Sequence, residues 1–311
     1  MRKCNNDRLV SFIIPCYRES EIQFRQSIDS VLAQTYTNLD VVIILDDPNN
    51  MELKSLGIQY SKQDERIRFF VNEQNLKLTN TLNKGLQLAK GDIIARLDSD
   101  DIASPQRIEK QMQYIDEYDL ISSNFALINE DGNIIQHRKF PETDKDIKEF
   151  MLNSMDCMFH TTWLGKKSLF TQLNGYRNIG PFEDYDFLLR GINVGARYYN
   201  VQDELTQYRI NLQGISQTNK ALQHLGSEYL RTNIKKIEKI DAGEIEEYLN
   251  SPLGKKHLKS FDTYCNIKNK IFNAKSTREL YFLALLECPK LLFNYYGRKK
   301  ILDSIKWKLK N

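Results

Sequence analysis

The sequence predicts an α/β fold, a mostly parallel sheet flanked by helices, followed by a helical C-terminal extension. Three observations predict it. Short β-branched runs alternate with stretches of helical apolar spacing over the first hundred residues. Acidic residues cluster where those runs end, as they do when ligands bind beyond the carboxyl ends of parallel strands. Strand-like runs cease near residue 219, after which the chain becomes Lys-rich and helical. This places one domain at 1–219 and a basic helical region at 220–311.

Taken in order, residues 9–15 (LVSFIIP) and 39–45 (LDVVIIL) read as strands. Between them Ile22, Ile28, Val31 and Leu32 have helical spacing. Residues 67–71 (IRFFV) form the next strand, a helix covers 78–89 with Gly91 as its stop, and 92–97 is the fourth strand. Such an alternation implies a sheet covered on both faces. Ser104 reads as an N-cap and Pro105 as the first residue of a helix carrying Arg107, Ile108, Gln111 and Ile115. Strands follow at 120–128 and 133–136, and PFEDYDFLLR (181–190) opens another helix. In the tail, Ser276 and Glu279 have capping-box spacing, with Pro289 ending that helix. Residues 298–310 set Ile301, Leu302, Ile305 and Leu309 on one side among Lys and Arg, with Trp307 nearby. This last helix either lies on an anionic membrane leaflet or packs on its own domain.

The chain has 311 residues, 41% of them hydrophobic, enough to bury a sizeable core. Five scattered cysteines without metal-ligand spacing suit a reducing cytosol, and the four histidines make no zinc pattern. The longest apolar run is far shorter than the ~20 residues that cross a bilayer, and residues 1–8 are too polar for a cleavable signal. The expected location is cytoplasmic, or peripheral on the inner face of the cytoplasmic membrane. Net charge is +3, but residues 1–219 hold 25 Lys and Arg against 31 Asp and Glu, and the remainder 19 against 10. An acidic front part excludes nucleic acid as its main partner, because phosphate contacts need clustered cations.

The densest chemistry is in IIARLDSDDI (93–102). Asp98 and Asp100 at a strand end could hold Mg²⁺ or Mn²⁺ against a diphosphate, since those ions take oxygen ligands and share substrate phosphates. The same residues would also serve as a solvated helix-capping turn. Glu183, Asp184 and Asp186 carry the same ambiguity. One of them could deprotonate an attacking hydroxyl, or all three could simply complement a helix macrodipole. Arg96, a charge inside an apolar strand, is a donor-phosphate contact or one half of a structural ion pair. The aromatic pairs Phe69-Phe70 and Tyr198-Tyr199 are expected in the core.

Order and combination decide between these readings. VSFIIPCYRE (10–19), QTYTNLDVVIILDD (34–47), NEQN (72–75), LNKGLQLAKGDIIARLDSDDI (82–102), PQRIEKQ (105–111) and EDYDFLLR (183–190) resemble, in order and spacing, the family 2 glycosyltransferases of the Rossmann-like GT-A fold. The resemblance covers roughly residues 8–218. It implies an inverting enzyme that moves a sugar from a nucleotide diphosphate, with UDP favoured, to an acceptor hydroxyl, with Mn²⁺ or Mg²⁺ as cofactor. Pro15 and Tyr17 would lie beside the nucleoside and Asp47 at the base. Asp98 would hold the ribose or a metal-bound water, Ser99 would belong to the nucleotide-sugar site, and Asp100 would ligate the metal. Asp184 would be the general base, with Glu183 and His160 on the acceptor side. The acceptor it implies is a glycan or lipid-linked glycan of a surface polysaccharide such as O-antigen or capsule.

Three positions depart from the family pattern. Pro48-Asn49 stands where Gly-Ser usually follows the aspartate pair, Lys77 stands where glycine is frequent, and Asn211 replaces a histidine that would help bind metal. Lys77 is read as a phosphate contact or as neutral. Two rivals remain. A nucleotidyltransferase of related fold would want a glycine-rich loop after the first strand, which CYRESE does not supply. A degenerate sugar-nucleotide binding or scaffold protein would bind without turnover.

Overall fold

The structure is a computed structural model that describes residues 8–154, 156–211 and 219–272, together with 286, 289–291, 294, 296 and 297. The expectations for 276–288 and 298–310 fall largely or wholly outside the described residues. The described chain divides into two compact units, one of 8–178 with 183–211, the other of 179–182 with 219 onward.

The first unit is built on nine strands: β1 Val10–Cys16, β2 Leu39–Leu45, β3 Ile67–Val71, β4 Ile93–Arg96, β5 Ile102–Ala103, β6 Leu120–Ile128, β7 Ile134–Arg138, β8 Leu164–Lys166 and β9 Tyr198–Arg209. They form one sheet in the order β3-β2-β1-β4-β8-β6-β9-β5, with β7 paired to β6. The first four are mutually parallel, as the sequence implies. β8 then runs antiparallel to both β4 and β6, and β6 and β9 pair in parallel. β1 and β2 are buried along their whole length, so their unbroken apolar runs reflect cover on both faces.

Helices α1 Glu21–Leu32, α2 Met51–Gln63 and α3 Lys77–Leu88 connect the parallel strands. Ser20 caps α1 through a capping box with Gln23, and Asn50 caps α2 by accepting from the Leu53 N–H. α3 lies so close to the sheet that a Cβ at Gly85 would sit 2.4 Å from Ile13 Cγ2. α4 Arg107–Met112, α5 Asp144–Asn153, α6 Lys167–Gln172 and α7 Glu183–Asn193 complete the unit.

Two local expectations are corrected. Gly91 does not stop α3, which ends at Leu88; its N–H donates to Ser11 Oγ (2.8 Å), and a Cβ there would meet Leu9 O at 2.3 Å. Gly91 therefore serves a close backbone approach. α4 begins at Arg107, not Pro105, because the Ser104 N–H is drawn to Leu205 O (2.9 Å) and Pro105 O accepts from the Thr35 N–H (2.8 Å). With the Arg107 N–H donating to Ser104 O (2.9 Å), they make 105–106 a turn that leads into α4. Tyr198 is in the core as expected, donating its hydroxyl to Leu188 O.

The second unit contains α8 Lys220–Thr232, α9 Ala242–Asn250 and α10 Pro252–Phe272, and its described elements are helical. Its interior gathers His224 stacked on Phe261, Tyr296 edge-on to both, and a buried hydrogen bond from the Tyr296 hydroxyl to Glu228. Among the described residues no helix is long and apolar enough to cross a membrane.

Candidate active site

Parallel order β2-β1-β4 brings three strand ends to one edge of the sheet, and each delivers a segment singled out from the sequence. From β1 come Pro15, Cys16 and Tyr17; from β2 come Asp46 and Asp47; from β4 come Asp98, Ser99 and Asp100. Cross-links fasten them together. Ser99 Oγ donates to Pro15 O (2.9 Å), Ser27 Oγ to Asp98 O (3.1 Å), and the Asp46 N–H to Cys16 O (2.8 Å). Asn50 Nδ2 reaches back to Tyr17 O (3.2 Å). Ser99 is thus a fastener between strands β1 and β4.

The two aspartates after β2 have separate jobs. Asp46 is buried and accepts from Asn72 Nδ2 (2.7 Å) and the Leu76 N–H (2.8 Å), which ties β2 to the segment entering α3. Asp47 stays partly exposed, 3.6 Å from Arg18 Nε, and Arg18 lies over the Tyr17 ring. Asp47 also accepts from the Asn49 N–H (3.1 Å), and of the two aspartates it is the one that reaches solvent. Lys77, where the family favours glycine, has φ +68, a left-handed conformation that glycine adopts without steric cost.

Arg96 is paired in this structure with Asp98 and with Leu97 O, which gives the ion-pair reading its geometry. The guanidinium is 97% buried at the side chain, yet its Nε has no partner. The Asp98 N–H donates to Thr161 Oγ1 (3.0 Å), so the short 3-10 turn His160–Thr162 is fixed beside the acidic turn. That turn carries His160, whose Nε2 is 2.8 Å from the Tyr176 hydroxyl. Burial, with Arg96 adding to it, pushes the His160 imidazole well below its ordinary value. It is neutral at pH 7 and acts by hydrogen bonding.

α7 brings the second acidic group. Its first turn holds Glu183, Asp184 and Asp186, but they diverge in role. Asp186 is fully buried and pairs with Arg177 and with Arg190 (Nε to Oδ2 2.7 Å). It is structural. Asp184 Oδ1 accepts from the Tyr185 N–H (2.7 Å), and among the described residues it has no cationic hydrogen-bond partner. Burial raises the Asp184 carboxyl, the Asp98 charge raises it further, and Arg96 opposes both. Glu183 is pushed up to about 8 by burial and by Asp184. Arg96 at the end of β4 and Asp98 just after it are therefore near enough to the Glu183-Asp184 pair on α7 for their charges to act on it.

Several residues at this site were not singled out from sequence. Glu19 accepts from the Tyr17 N–H (2.8 Å), and burial together with the Asp98 charge raises its carboxyl. Its placement in the loop after β1 was a signal that could have found it. Tyr176 and Asp156 had none; burial and Asp184 raise the Asp156 carboxyl. Asp101, the third carboxylate of the acidic cluster read from the sequence, is fully buried and accepts from the Arg209 N–H (2.7 Å). Asn211 lies two residues past β9, whose last residue, Arg209, donates to Asp100 O (2.8 Å).

The residues present fit a divalent cation held jointly with a substrate. The Asp100 carboxyl is pushed up to about 7 by burial and by the charges of Asp98 and Glu19, and among the described residues no side chain hydrogen-bonds its oxygens. Uncompensated carboxylate oxygens are the donor set that Mg²⁺ or Mn²⁺ takes. Among the described residues no three His, Cys, Asp or Glu side chains make an all-protein cage. Such ions commonly take only one or two carboxylates, the rest coming from phosphate and water.

Carboxylates gathered beyond the carboxyl ends of parallel strands are where an α/β sheet of this class binds ligands. The chain belongs to glycosyl transferase family 2, whose family model matches residues 11–173. It is 34% identical over 207 residues to an uncharacterized glycosyltransferase of Methanocaldococcus jannaschii, covering 65% of this chain and 71% of that one. It is 34% identical over 214 residues to the O-antigen biosynthesis glycosyltransferase WbnJ of Escherichia coli, covering 68% and 83%. With the amylovoran biosynthesis glycosyltransferase AmsE of Erwinia amylovora it shares 26% over 232 residues, covering 73% and 84%. The crystal structure of S. aureus TarS (residues 1–349) shares the fold, with a TM-score of 0.56 at 15% identity over 88% of this chain and 76% of that one.

Proposed function

We propose that the chain is an inverting, divalent-cation-dependent glycosyltransferase. It moves a hexose or N-acetylhexosamine from a UDP-sugar to an acceptor hydroxyl on a glycan or lipid-linked oligosaccharide in surface polysaccharide synthesis. The observation that carries this reading is the opposition of two acidic groups, Asp98 and Asp100 after β4 and Glu183-Asp184 on α7, with Arg96 between them in charge. Relatives named for O-antigen and amylovoran biosynthesis support the polysaccharide setting.

Each residue has a stated task in this reading. Pro15 and Tyr17 flank the nucleoside, and Asp47 accepts from the uracil N3–H, which selects uridine. Asp98 holds the ribose side while Ser99 fastens its turn to β1, Asp100 and Asp98 would hold Mn²⁺ or Mg²⁺, and Asn211 would offer a further oxygen. A bound cation supplies Lewis-acid stabilisation of the negative charge that accumulates on the leaving diphosphate. Asp184 takes the proton of the incoming hydroxyl, while Glu183 and the neutral His160 orient the acceptor. Loss of a general base typically slows a reaction 10²- to 10⁴-fold, on the order of 3–5 kcal/mol of barrier.

The test is a panel of UDP-, GDP- and dTDP-sugars with Mn²⁺, scored for binding and slow hydrolysis in wild type and Asp100→Ala. Hydrolysis of one UDP-sugar that chelation abolishes and Asp100→Ala lacks would support the reading and name the donor. Absence of nucleotide binding under every condition would refute it.

A further inference from the structure

Arg209 ends β9 and is 2% exposed, a buried cation that strand geometry does not require. Its guanidinium fork reaches three different segments. Nε donates to Asp100 O (2.8 Å), Nη1 to Asn129 O (3.1 Å) and Glu130 O (2.7 Å), and Nη2 to Gln26 Oε1 (2.8 Å). Its main-chain N–H donates to Asp101 Oδ1 (2.7 Å). The acidic turn is thus held at two successive residues by one strand end, through the Asp100 carbonyl and the Asp101 carboxylate. The Asp100 carboxylate itself is left uncommitted. Behind the fork, α1 and the turn between β6 and β7 provide the fixed frame.

We propose that Arg209 is the positioning residue for Asp100, locking the acidic turn to α1 and the β6–β7 turn so that the Asp100 carboxylate is presented to the divalent cation and the donor diphosphate. This rests on the function proposed above. A planar guanidinium with five donors satisfies four acceptors in fixed directions, which an ammonium on a flexible stem does not. Lysine at 209 therefore keeps the charge and loses the geometry. Residues that orient metal ligands typically affect metal affinity on the order of 10- to 100-fold.

UDP binding to the full chain is measured by calorimetry across a Mn²⁺ series for wild type, Arg209→Lys, Arg209→Met and Gln26→Ala, alongside thermal melts. The expected result is a rise in the half-saturating Mn²⁺ concentration on the order of 10-fold or more in Arg209→Lys, with metal-free UDP binding unchanged. Gln26 is exposed, so Gln26→Ala loosens one arm of the fork without threatening the fold, and it shifts the constant in the same direction by less. Arg209→Lys that melts lower but keeps the wild-type Mn²⁺ constant would overturn the proposal and leave Arg209 a purely structural residue. If the Arg209 variants do not fold, Gln26→Ala decides: a raised Mn²⁺ constant supports positioning, and an unchanged one overturns it. UDP binding by the wild type that ignores Mn²⁺ overturns the metal-dependent function itself, a failure seen before any variant is compared.

Discussion

Asp184 and Asp186 are two residues apart on one helix, and their isosteric amides should behave in opposite ways. Asp186 is fully buried between Arg177 and Arg190, the latter 1% exposed at its side chain. Arg190 also donates to Leu173 O (2.6 Å) and Gly175 O (2.9 Å), so the pair ties α7 to the loop that carries Tyr176. In Asp186→Asn the charge vanishes and an amide N–H₂ is turned against a guanidinium N–H. Removing one partner of a buried ion pair costs about 3–5 kcal/mol because the other charge stays buried. At roughly 2–4 °C per kcal/mol for a unit of this size, the melting temperature falls on the order of 10 °C. Asp184 has a raised carboxyl, so at neutral pH its ionised form is a liability to the fold. Asp184→Asn keeps the acceptor for the Tyr185 N–H and should leave stability unchanged or higher. The assay is denaturant unfolding followed by fluorescence of Trp163, fully buried in the first unit, in a Trp307→Phe background. Equal losses in the two variants, or a loss below about 1 kcal/mol in Asp186→Asn, would refute this division of roles.

Further outcomes follow from the same geometry. Lys77→Gly relieves a left-handed residue worth about 1–2 kcal/mol and adds about 0.5–1 kcal/mol of unfolded-state entropy, so it should stabilise by roughly 0.5–1 kcal/mol in chemical unfolding. Glu183 is held near 8 in the fold against an ordinary value of 4.5, so the folded protein keeps a proton that the unfolded chain loses. Its contribution to stability should fall as pH rises from about 4 towards 8, and Glu183→Gln should flatten that part of the stability profile. Because Asp184 must be ionised to accept a proton, kcat/KM should climb with pH around a midpoint above the ordinary carboxylate range, as a pH–rate profile would show.

How much of this was legible in the sequence depended on the range of the interactions concerned. β1 and β2 were readable because burial on both faces leaves an uninterrupted apolar run. α2 was not, although Leu53, Leu56 and Tyr60 have helical spacing, because its mid-face residue is Gly57, which makes room for Phe69 and supplies no apolar signal. β9 was obscured by three consecutive exposed residues, Gln202, Asp203 and Glu204, that break its alternation. The acidic turn after β4 could be found because its residues are contiguous and end a strand. Glu183, Asp184 and Asp186 looked alike because sequence shows charge and not counter-charge; Arg190 is one helical turn from Asp186, but the loop bonds that pin it are tertiary. Arg209 and Asp100 are 109 residues apart, and no local pattern links them.

In the proposed reaction the turn after β4 binds the donor while the acid on α7 performs the transfer. Separating binding from turnover tests it most directly: Mn²⁺-dependent UDP affinity and sugar-transfer rate, measured on the same preparations of wild type, Asp100→Ala and Asp184→Asn. Asp100→Ala should lose the metal-dependent part of UDP binding. Asp184→Asn should bind UDP and Mn²⁺ as the wild type does and transfer sugar on the order of 10²- to 10⁴-fold more slowly. Loss of nucleotide binding in Asp184→Asn, or transfer at the wild-type rate in it, would contradict the account.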